Sequence, residues 1–159
     1  MYKKKTLDTY DAVKEKALRL LEFRSHSERE LTQKLRRAGA SHENIEKTLI
    51  FCREYGFVDD TSYAKRKAAD LLNLKKYGRR RIYSELKALG IDDDDITAAM
   101  DDLDPDTERK NLAALAEKKL GGDTSRKNID KTIRFLVYRG YDIYDIKDII
   151  SGSEVFDDI

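Results

Sequence analysis

The residues of this chain best suited to covalent or acid–base chemistry are one cysteine, Cys52, and two histidines, His26 and His42. An activated thiolate needs an imidazole or a cation held against it, and no recognisable nucleophile spacing links these three. Cys52 falls instead on the helical stripe set by Ile45 and Leu49, where a thiol behaves as a small apolar side chain. Asp59 and Asp60 could form a carboxylate pair, but no basic partner stands at a fixed short spacing from them, and they read as helix caps. The run Asp92 to Asp95 invites calcium. It lacks the alternating oxygen ligands, central glycine and distal glutamate of an EF-hand loop, and reads as an acidic first helical turn. Phosphate-cradling glycine loops and the HExxH and GxSxG patterns are missing. The expectation is therefore no catalytic residue, no metal and no cofactor: a binding protein rather than an enzyme.

The cations indicate what is bound. Lys75, Lys76, Arg79, Arg80 and Arg81 surround Tyr77 and Gly78 at a helix start, where clustered positive charge opposes the positive end of the helix dipole. Something must offset that repulsion. An anionic partner would, because arginine forks take carboxylate or phosphate bidentately, and Tyr77 offers a stacking face to a base. A solvated junction between helices is the competing reading. Of Lys34, Arg36 and Arg37, with Lys65, Arg66 and Lys67, several fall on the polar side, opposite Leu31, Leu35, Ala64 and Ala68. They either extend the same surface or are ordinary solvated charge. Lys3, Lys4 and Lys5 form a basic arm. The net charge of +1 hides an asymmetry, since residues 1–90 carry 22 Lys and Arg against 13 Asp and Glu, and residues 91–159 carry 10 against 18. The halves are +9 and −8, a polarity suited to an acidic polymer or groove.

Rigid elements must hold these side chains. One proline and eight glycines in 159 residues leave few breakers, and 40% charged residues with a mean hydropathy of −0.73 describe a soluble, all-α chain. No stretch approaches the roughly 18 uncharged apolar residues of a membrane span, no apolar region follows the basic start, and a lone thiol suits a reducing compartment; a cytoplasmic location is expected.

The helices fall into a repeat. Leu31 to Leu49, Ile82 to Met100 and Thr132 to Ile150 share one template: a leucine four residues before a glycine (Leu35/Gly39, Leu86/Gly90, Leu136/Gly140), and an isoleucine six residues after it (Ile45, Ile96, Ile146). The glycine ends one helix in a left-handed residue, and the isoleucine with its i+4 neighbour forms the buried stripe of the next. A third helix lies upstream, with Val13, Ala64 and Ala114 in register on the glycines; Gly121 implies that the third of these ends early. The expected architecture is three tandem three-helix repeats, helix-turn-helix-like at their corners, stacked into an elongated, curved array. Residues 11–58, 59–104 and 105–151 form the repeats, between a flexible arm at 1–10 and a frayed tail at 152–159.

In this order and at this spacing, four stretches carry a likeness to a known family: ALRLLEFRSHSERELTQKLRRAG, GFVDDTSYAKRKA, YGRRRIYSELKALGI and RFLVYRGYDIYDI. The chain resembles the RecX family, bacterial modulators of the RecA recombinase, from about Ala12 to Ile150. That resemblance implies a protein of tandem three-helix repeats that lodges in the groove of the RecA filament on single-stranded DNA; the chain is expected to be a monomer. There it would hinder filament growth, ATP hydrolysis, strand exchange and coprotease activity, with weak binding to single- or double-stranded DNA, in recombination, DNA repair and the SOS response. Longer members continue past a third repeat, and the acidic run in the second repeat makes this chain less uniformly basic than the family pattern. The alternative is a DNA-binding regulator whose corners enter the major groove, which the aspartate-rich helices after two of the three corners disfavour.

Overall fold

The computed structural model describes residues 6–152, which contain nine α-helices and no strand. They run α1 (Tyr10–Phe23), α2 (Glu28–Arg37), α3 (His42–Glu54), α4 (Asp60–Asn73), α5 (Arg79–Ala88), α6 (Asp93–Asp101), α7 (Pro105–Leu120), α8 (Arg126–Tyr138) and α9 (Ile143–Ser151). Three separate cores form, one per consecutive triplet of helices. The template explains them. Leu35, Leu86 and Leu136 are fully buried at 0%, and Gly39, Gly90 and Gly140 take φ of +98°, +78° and +99°, the left-handed turn that a Cβ would strain. Ile45, Ile96 and Ile146 then enter the cores, and Cys52 packs among them in the first unit. No described helix is long and apolar enough to cross a membrane.

Polar residues start the helices. Ser27 and Glu30 form a reciprocal capping box on α2, while Asp59 and Asp92 cap α4 and α6 through the amides of Ser62 and Asp95. At the front of the chain Thr9 caps α1 and Leu7 is buried in the first core. Packed structure therefore reaches into the stretch that sequence assigns to a flexible arm. The basic triplet Lys3 to Lys5 and the tail from residue 153 lie outside the described residues.

The first helix of the third unit does end early, as Gly121 implies: α7 stops at Leu120, twenty residues before Gly140, where α1 and α4 stop sixteen and seventeen residues before Gly39 and Gly90, and Gly121 caps it with a left-handed φ of +57°. With 16 residues, the longest of the nine, it is displaced rather than shortened. Leu112, Ala116 and Leu120 bury where Val13 and Ala17 do, and Ala114 is exposed. The cause is an extra turn at the start of α8, which has 13 residues where α2 and α5 have 10.

One bonding scheme stacks the units twice. The residue capping the second helix of one unit donates to the carbonyl just before the next unit's corner glycine: Ser27 Oγ to Leu89 O at 2.6 Å, and Gly78 N to Arg139 O at 2.9 Å. The first amide of the same helix donates to a carboxylate on the next unit's first helix: Glu28 N to Asp60 at 3.0 Å, and Arg79 N to Glu108 at 3.3 Å. Three residues beyond each carboxylate a buried polar side chain reaches back: Tyr63 OH to Glu30 at 3.1 Å, and Asn111 Nδ2 to Leu72 O at 2.9 Å. Orphan amides of two helix starts are thus satisfied across the junctions.

Candidate interface for an acidic partner

The second helix of each unit is basic. Four cations and two acids lie on α2, four and one on α5, and four and one on α8. The helix after each corner is acidic, most of all α6, which carries Asp93, Asp94, Asp95 and Asp101 without a cation. Charge therefore alternates within every unit, and the bias between chain halves is secondary. Sequence reasoning tallied charge by halves and so missed Arg126, Lys127, Lys131 and Arg134 on α8, all exposed. A tally by repeat position would have found them.

The cluster around Tyr77 sits on the junction between the second and third units, and its arginines reach inward. Arg79 donates from both terminal nitrogens to Met100 O at 3.2 and 3.1 Å and faces Glu108 at 3.6 Å. Arg80 pairs with Asp142, the cap of α9, at 2.7 Å. Arg81 bonds Glu85 at 2.9 Å and Tyr138 O at 3.3 Å. The offset to the helix dipole that the arginines require is supplied within the chain, by Glu108 and Asp142. Burial, partly countered by the Arg79 amide and charge, pushes the Glu108 carboxyl above its ordinary range, and Asp60 at the other junction is raised for the same first reason.

Tyr77 is occupied as well. The guanidiniums of Arg81 and Arg139 both lie over its ring, at 4.7 and 5.0 Å, while Arg81 also covers Tyr138 at 5.0 Å and Arg139 covers Phe135 at 5.6 Å. The result is an alternating ladder of rings and cations across the junction. Tyr141, buried beside it, donates to Lys76 O at 2.6 Å, and burial pushes its phenol up to about 12. Tyr138 and Phe57 keep 74% and 48% of their surface in solvent.

Other candidates divide in two. Lys65 pairs with Asp102 at 3.3 Å, and Lys34 donates to His26 Nε2 at 2.7 Å. An ammonium can only donate, so the His26 proton sits on Nδ1, which donates to Arg24 O at 2.9 Å. Burial first, then the charges of Arg24 and Lys34, hold this imidazole below its ordinary range, so it stays neutral. Arg36, Arg37, Lys75 and Lys76 are exposed and make no ion pair among the described residues, and Arg66 donates to Ser25 at 3.2 Å. No group of three His, Cys, Asp or Glu that could hold a metal occurs among the described residues.

Two family models match, "RecX, first three-helix domain" over residues 14–52 and "RecX, second three-helix domain" over residues 59–100. The regulatory protein RecX of Vibrio parahaemolyticus is 37% identical over 161 residues, covering 99% of both chains. The chain belongs to the RecX family. The RecX of Cronobacter sakazakii is 34% identical over 91% of this chain and 94% of its own length, and that of Clostridium botulinum 31% over 98% and 76%. The crystal structure of RecX from Lactobacillus salivarius superposes with a TM-score of 0.80, 22% identity and coverage of 94% and 97%, which shows the shared helical-repeat fold. A second RecX crystal structure gives 0.82 at 21% identity, over 89% of this chain and 73% of that one.

Proposed function

We propose that this RecX-family regulator binds the RecA filament on single-stranded DNA, in the cytoplasm, and lodges in its helical groove. Occupying the groove hinders filament growth, and with it ATP hydrolysis, strand exchange and coprotease activity, so the chain acts in recombination, DNA repair and the SOS response. Steric and electrostatic obstruction suffices for this, with no bond made or broken. The observation that carries the reading is the run of basic second helices, one per unit, on a scaffold stacked by one repeated scheme. Arg36, Arg37, Arg66, Lys75 and Lys76 supply contacts in the first two units, with Arg126, Lys127, Lys131 and Arg134 continuing them in the third. Arg79, Arg80 and Arg81 contribute chiefly by holding the junction.

A major-groove regulator would have to seat α3, α6 or α9 against phosphates, and α6 brings four aspartates there. The deciding experiment measures the DNA-dependent ATPase of RecA as the chain is added. The rate should fall at comparable or lower chain concentration, while binding to naked DNA stays weak and salt-sensitive. ATP turnover that is identical with and without the chain sinks the proposal.

A further inference from the structure

Among the described residues ten large apolar side chains stand in solvent, and two of them, Phe23 at 88% and Leu74 at 73%, occupy one repeat position. Each lies sixteen residues before its corner glycine, Gly39 or Gly90, where the first helix of its unit gives way to the loop. Isolated exposed apolar residues are common and need no explanation. The other eight lack this recurrence: none has an exposed large apolar residue at the matching position of a neighbouring unit, and Tyr55 and Phe57 already stack on each other, with ring centroids 6.0 Å apart. The third unit has Thr124 there.

Both residues are presented on clamped backbone. After Phe23, the Arg24 carbonyl accepts from His26 at 2.9 Å, and the Arg24 guanidinium holds Ser25 O and Glu30, both at 2.8 Å. After Leu74, the Lys75 carbonyl accepts from Arg139 and the Lys76 carbonyl from the Tyr141 hydroxyl. Lys76 takes a left-handed φ of +58°, unusual outside glycine, and these bonds hold it there. Neither loop has to be ordered when a partner arrives.

We propose that Phe23 and Leu74 are twin anchors that enter equivalent apolar pockets on successive subunits of a protein polymer. Two pegs at one repeat position, on units related by one stacking scheme, call for a surface that itself repeats. Leu74 has no π face for a base and no donor for a phosphate, which selects protein over nucleic acid. The exposed ammoniums of Lys75 and Lys76 beside Leu74 select pockets rimmed by carboxylates. The inference rests on the filament reading above and names the part of this chain that recognises the protein rather than the strand.

The test titrates fluorescently labelled wild type, Phe23→Ser, Leu74→Ser and the double variant onto RecA filaments on single-stranded DNA, and onto the same DNA alone. Each single change should weaken filament binding about ten- to a hundredfold, the range for burying one large apolar side chain, and the double by roughly the product. Affinity for naked DNA and the thermal midpoint should match wild type, because both side chains stand in solvent in the free chain. Variants that bind the filament like wild type overturn the anchors and leave the filament reading standing. An equal loss on naked DNA overturns them in favour of a nucleic-acid contact. A wild type without affinity for the filament overturns both readings.

Discussion

Gly78 and Gly39 show how differently one residue type can matter. Gly78 has an ordinary φ of −79°, so an alanine there meets no backbone strain. Its Cβ would lie 2.5 Å from the Gly140 carbonyl carbon and oxygen and 2.6 Å from the Tyr141 nitrogen, backbone atoms that cannot swing aside. Gly39 is the reverse case, with φ +98° and nothing within 4 Å of an added Cβ. Gly39→Ala should cost about 1–3 kcal/mol of strain, felt in the first unit. Gly78→Ala should prise the third unit from the second, breaking the Gly78 to Arg139 bond and the ring ladder while leaving each core intact. Native-state hydrogen exchange separates the two: Gly78→Ala should lower protection chiefly in α7, α8 and α9. Uniform loss in both variants would show that the close approach at Gly78 does not set the junction.

Among the helices, α2 shows a cap doing two jobs. The Ser27 hydroxyl accepts from the Glu30 amide at 3.2 Å and donates to Leu89 O of the next unit at 2.6 Å. The corresponding cap of α8, Ser125, accepts only from Asn128 N, at 3.4 Å. Ser27→Ala should therefore cost about 2 kcal/mol, a cap plus an orphaned carbonyl, and Ser125→Ala about 0.5–1 kcal/mol. Denaturant unfolding checks the difference, and equal costs would mean that the Leu89 bond adds nothing. The capping box was legible in the sequence because Ser27 and Glu30 are three residues apart, as were the corner glycines and the core leucines and isoleucines, whose roles depend on near neighbours. What lies far along the chain was not legible. Leu89 is 62 residues from Ser27, and Glu108 and Asp142, which answer the arginines of α5, come 29 and 62 residues after Arg79 and Arg80. The dipole argument correctly demanded a counter-anion at α5 but could not say that the chain itself provides it. The extra turn of α8 escaped for a related reason: alignment on Gly140 carries no information about where the preceding helix begins.

At the scale of the molecule, one polarity recurs along the stack, basic on each second helix and acidic after each corner. This predicts which surfaces respond to charge reversal. Replacing Lys127, Lys131 and Arg134 of α8 by glutamate removes exposed cations that make no ion pair among the described residues, so the fold should tolerate it. Filament affinity should fall at least about tenfold at 50 mM salt, with most of the loss in the association rate. It should shrink towards wild type near 0.5 M, because exposed charges are screened beyond about 8 Å even at physiological ionic strength. Reversing Asp94 and Asp101 of α6 to lysine changes a comparable exposed charge on the other side of the polarity. If the second helices face the acidic partner, those changes leave the affinity unchanged or raise it slightly through long-range steering. Sensitivity at α6 with indifference at α8 would assign the interface to the acidic helices and require a basic partner surface. Stopped-flow association with both variants at the two salt concentrations distinguishes the outcomes. The Phe23 and Leu74 contacts, being apolar, should hold their contribution across the same salt range, so the salt-dependent and salt-independent parts of the affinity can be traced to separate residues of one chain.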